Sequence, residues 1–180
     1  MPSTVFGLPT HILIIHATVV LVPLTALMLC VAAFWPRLRR ALGPLPTLAA
    51  FGALILVPIT SHSGEQLRAR LPDNPLIARH AELGDTLLPW VAGLFVAALL
   101  LLWNDGWRPT AWASPTRPGG AASSTHSTAR HAVARGTNWV TALAMALVIA
   151  TAVGSVVQIV RIGHSGAKAA WSGVAAAPVR

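Results

Sequence analysis

A chain of 180 residues with 54% apolar and only 10% charged residues lacks the charge to coat a water-soluble globule, for which about 25% charged is usual. Its formal charge of +8 must therefore sit in loops and tails, where scattered arginines read as attraction to anionic lipid head groups and not as a nucleic-acid stripe. A single cysteine, Cys30, excludes an intrachain disulfide.

The opening MPSTVFGLPTH has no basic region, and the first apolar run continues far past the length of a signal segment. It reads as a retained anchor, not a cleaved leader. Four apolar runs, near residues 12–34, 45–61, 83–103 and 139–160, are long enough to cross a bilayer, which takes about 20 helical residues. In hydrocarbon the backbone must satisfy its own hydrogen bonds, so these runs are expected as helices. The fold class that follows is all-α, a four-helix transmembrane bundle. Pro23, Pro58 and Pro89 are expected to kink it, and Gly64 to stop the second helix. A short surface helix is expected at 66–71, ended by Pro72. Residues 114–136, rich in Ser, Thr, Pro and Gly, read as a disordered linker, with His126 and His131 solvated in it. No internal repeat is evident. Arg37, Arg39 and Arg40 follow the first span while the N-terminal tail has no basic residue. That contrast puts both termini outside.

Alternating the spans brings His11, His16, His62, His80 and His164 to one end of the bundle. Glu65, Glu82, Asp85 and Arg161 share that end. Histidines at run boundaries also simply meet head groups and water, which is the plain reading for His11, His62 and His164. His16 lies inside the first span, where polar residues usually face the bundle interior or a functional path. His11 and His16 are about 140° apart around a helix, so they face different partners. His80 and Gly84 share a face, where a glycine admits either a partner helix or a flat macrocycle. Thr151, Gly154, Gln158, Arg161 and Ser165 form a polar or small-residue stripe on the fourth span. Arg161 is expected to pair with Asp85 or Glu82, or with an anionic cofactor group. No Walker loop, GxSxG or HExxH occurs, so nucleotide-driven and hydrolase chemistry have no residues to stand on.

GLPTHILIIH at the first span resembles the GLPxHPxxxH opening of the domain-of-unknown-function 2231 family of bacterial integral membrane proteins. HAELGDTLLP and VRIGHSGAKAAW are similar to its actinobacterial members. Ile12 stands where the family has proline. The resemblance covers nearly the whole chain except the linker and implies a bacterial plasma (inner) membrane protein. It also implies a layout like that of b-type cytochromes, with haem or electron transfer.

Three functional readings follow. The first is a haem b protein that moves or senses electrons, with His16 and His80 as axial ligands and Gly84 and Arg161 beside the macrocycle. His11, His62 or His164 are alternative ligands, and a redox partner protein is implied. The second is copper or zinc held by His16 and His80. The third is a non-catalytic structural or accessory subunit whose polar end binds a partner, with a homodimer compatible.

Overall fold

The computed structural model describes residues 4–5, 8–104 and 139–172. The linker expected at 114–136 lies outside them. Two two-residue strands, β1 (Thr4–Val5) and β2 (Leu8–Pro9), pair antiparallel ahead of the bundle. Six helices follow: α1 (Thr10–Phe34), α2 (Pro36–Leu42), α3 (Leu45–Arg68), α4 (Pro75–Asp85), α5 (Leu88–Asn104) and α6 (Trp139–Trp171). Four stretches are long and apolar enough to cross a membrane, the third made of α4 and α5 together. The protein is an all-α, multi-pass membrane bundle.

α1 and α5 each pack against α3 and α6, so the four long helices form a square in which diagonal pairs hardly meet. Alanine makes this closeness possible. Ala26, Ala33, Ala50, Ala97, Ala144 and Ala152 are buried around Leu29, Leu94 and Val148. Between helices immersed in lipid, van der Waals packing of small residues supplies the attraction that water supplies elsewhere. A second core, Val22, Ala53, Val57, Leu87, Val91 and Ile162, lies beneath the histidine-rich end.

Several helix ends differ from the expectations above. α1 and α3 run unbroken through Pro23 and Pro58. Gly64 does not stop α3, which continues to Arg68 and takes up part of the surface helix expected at 66–71. α6 extends to Trp171, a length of roughly 50 Å by helical rise, so Arg161, His164 and Lys168 stand on regular helix. α2 is short and basic, and ends at Gly43, whose φ of 56° favours a residue without Cβ.

Only Pro89 coincides with a break. It lacks the N–H that would bond to the carbonyl of Asp85 and disfavours helical geometry at Leu88. The chain turns at Thr86 and Leu87, so α4 departs from the line of α5. Asn74 caps the start of α4, its Oδ1 accepting from Leu76 N–H at 2.8 Å. α4 then leans on α6 far more than on α3.

Gln158, 4% exposed on α6, holds this break together. Its Nε2 donates to the Leu83 carbonyl at 3.2 Å and to Thr86 Oγ1. Gln158→Leu removes the donor to Thr86 Oγ1 and leaves the Leu83 carbonyl with the Thr86 hydroxyl alone. The expected loss is about 1–3 kcal/mol, read as a lower unfolding midpoint in detergent, whereas Val157→Leu on the lipid-facing side should change nothing measurable.

Candidate functional site

The lean of α4 opens a cleft at the histidine-rich end between α4 on one side and α1 and α3 on the other. Its cavity volume is about 140 Å³, below the roughly 300–1,000 Å³ usual for small-molecule and cofactor pockets. Ile15, Val57, Ile77, Leu87, Ile159 and Ile162 make its walls apolar, and Glu65, Arg68 and Asp85 add charge to its lining. His11 from α1 and His80 from α4 both line it.

Each histidine is seated in the same way. Ser63 Oγ donates to the carbonyl of Thr60, three residues back on α3, at 2.8 Å. Its proton is thereby used, and its lone pair faces His11 Nδ1 at 3.0 Å. On α6, Ser165 Oγ donates to the carbonyl of Ile162 at 2.8 Å. His80 Nδ1 lies 3.0 Å from Ser165 Oγ and 3.1 Å from that same carbonyl. Both arrangements call for the tautomer with hydrogen on Nδ1. That leaves a lone pair on Nε2, as a histidine that binds a metal requires.

The residue after each serine is glycine, and each glycine is where the ring rests. A Cβ built on Gly64 would lie 3.0 Å from Cε1 of His11, and one on Gly166 would lie 3.0 Å from Cε1 of His80. The segments His62-Ser63-Gly64 and His164-Ser165-Gly166 are therefore two copies of one device. Each lies in the last turns of a span and receives a histidine from the span before it. The same three-residue seat is thus used twice, although the helices around it are arranged differently.

Burial lowers the pKa of His11, which precedes the apolar stretch Leu13–Phe34. The proximity of His80 lowers it further, and a backbone hydrogen bond at Thr60 opposes both. The balance favours the neutral, ligand-competent ring.

The other expected residues are placed differently. His16 is exposed on α1 and does not line the cleft. Gly84 does line it, and nothing lies within 4 Å of where its Cβ would be. His62 is on the exposed face of α3, where its Nε2 meets Gln66 at 3.1 Å and its Nδ1 is 3.8 Å from Glu65. His164 and Arg161 line a separate cavity on the other side of α4. The expected Asp85–Arg161 pair is not formed: Asp85 faces the cleft, while Arg161 Nη1 reaches Gln158 Oε1 at 3.4 Å. Nor does Arg161 pair with Glu82.

No family model, curated protein or solved structure matches this chain. The site must be read from its own chemistry.

Its paired histidines and apolar walls are of the kind a haem site uses, while its volume requires α4 to swing outward before a macrocycle could enter. Two imidazoles from different helices are the donor set that a low-spin b-type centre uses. The bare face of Gly84 leaves room beside His80, and apolar walls suit a macrocycle. A tetrahedral copper or zinc site is less well provided for. Among the described residues, no group of three or more His, Cys, Asp or Glu is assembled that could hold a metal ion.

Proposed function

We propose that the protein is a membrane-embedded haem b protein for electron transfer or redox sensing, with His11 and His80 as the axial ligands. One observation carries this reading. Two histidines on different spans line one cleft, and each has its Nδ1 tied to a serine that has already given its own proton to a carbonyl. A bound haem would supply reversible one-electron chemistry at the iron. The chain's own part is to orient both rings, hold their Nε2 lone pairs available and exclude water with isoleucine, leucine and valine walls. Relative to the pair His16 and His80 read from sequence, the helix supplying the first ligand is the same and the residue moves by five positions. Arg161, across α4 from the cleft, has no place beside this haem; Arg68 in the lining is the nearer candidate for a propionate.

This reading includes a bacterial inner-membrane location with both termini extracytoplasmic, and a redox partner at the histidine-rich end. The test is to express the protein with haem precursor, purify it in detergent and record oxidised and dithionite-reduced spectra. A sharp low-spin α-band is expected on reduction. Haem-replete protein without such a band would overturn the reading and leave a structural or accessory subunit.

A further inference from the structure

The second cavity, outside α4, has the opposite character to the first. About 680 Å³ of empty space, mouth included, lies between α4 and the extended end of α6. Arg79 contributes from α4, and Arg161, His164 and Lys168 from α6. The α6 residues fall at i, i+3 and i+7, one face of a helix. No carboxylate lines the cavity. Among the described residues, no ion pair engages Arg79, Arg161 or Lys168 with Glu82 or any other acid. Three permanent cations thus converge without a counter-charge.

The geometry points to a binding site for the phosphate of an anionic phospholipid, with its acyl chains running down α6. The surroundings favour a lipid over a free anion. Leu76 and Leu83 give the cavity an apolar side. Directly below Arg161, the side chains Val153, Val157 and Val160 are 59%, 50% and 64% exposed, a strip that only acyl chains would cover. A basic pocket between transmembrane helices at the edge of the apolar region is where anionic head groups collect. The long reach of α6 past Val160 then has a purpose: it carries the basic face of the pocket beyond the hydrocarbon.

Titration of the detergent-solubilised full chain, read by native mass spectrometry, tests this. Phosphatidylglycerol should bind at least about tenfold more tightly than phosphatidylcholine of the same acyl chains. Arg79→Gln/Arg161→Gln should remove that preference, at roughly fivefold per cation, the equivalent of about 1 kcal/mol each at an anionic surface. Arg37→Gln/Arg40→Gln, which removes the same charge from α2 at the other end, should leave it intact. All four arginines are exposed, so folding is not at issue. Equal losses in the two double variants would reduce the effect to diffuse charge and overturn the proposal. So would equal binding of the two lipids. Glycerophosphoglycerol without acyl chains should bind far more weakly; binding as tight as the lipid's would make the ligand a soluble phosphate and overturn the lipid assignment.

Discussion

Changing either His11 or His80 to alanine should abolish the low-spin band of the reduced, haem-replete protein, while His16→Ala should leave it in place. Two axial imidazoles are required for a low-spin centre, so loss of one removes the signature even where some haem is retained. The comparison with His16 is decisive because His16 lies only five residues along the same helix. It is exposed and outside the cleft lining. The serines provide a graded version of the test. Ser63→Ala and Ser165→Ala keep both ligands but remove the acceptors that fix their Nδ1 protons. Partners of this kind typically change affinity by about 10–100-fold. Haem should therefore be lost more readily to a competing apoprotein from either serine variant, and most readily from the double variant. A band that survives His11→Ala unchanged would remove His11 from the coordination sphere.

The bundle was legible in the sequence because a bilayer leaves so little choice. A run such as TALAMALVIATAVGSVV must be helical in lipid, and the four runs fall within α1, α3, α5 and α6, with the third also reaching the end of α4. Helix ends were less legible. Gly64 reads as a stop, yet its lack of a side chain serves to seat the His11 ring, with α3 continuing beyond it. Likewise, the choice between His11 and His16 depends on how α1 is rotated. That rotation is set by contacts such as Thr18 Oγ1 to Thr60 Oγ1 at 2.6 Å, between residues 42 apart in the chain. No local pattern encodes it. One signal lies in the sequence itself: His-Ser-Gly occurs near the end of the second span and again on the fourth helix. Its recurrence points to Ser63, Gly64, Ser165 and Gly166 without any structure. The polar stripe of the fourth span does form one face, in which Gln158 is buried and Arg161 exposed. A buried amide can satisfy the Leu83 carbonyl freed by the turn at Thr86 and Leu87, while the guanidinium one turn further on is exposed.

Among the glycines at which spans meet, Gly154 has the least room for a side chain, and filling it is expected to cause a large loss of stability. The ring of Trp90, in the first turn of α5, lies against Gly154 of α6 so closely that a Cβ at residue 154 would overlap the indole. One turn further along the same pair, a Cβ on Gly93 would lie 2.5 Å from Thr151 Cγ2. Gly154→Ala cannot be absorbed by a small adjustment of a flexible tip, because the atoms in the way belong to a rigid bicyclic ring. Overpacking of this kind costs about 1–3 kcal/mol, and Gly154→Leu should cost more. Trp90→Ala/Gly154→Ala should cost less than the two single changes added together, since each removes the clash that the other creates or suffers. Unfolding midpoints of the detergent-solubilised variants give the comparison, and simple additivity would mean that the ring is seated elsewhere. Trp90 also follows directly on Pro89, so its seat on Gly154 helps to fix the angle at which α4 leaves α5. Forcing the ring out should change the width of the cleft as well as the stability of the bundle. In Gly154→Ala the reduced haem band should accordingly broaden or weaken, although residue 154 does not line the cleft.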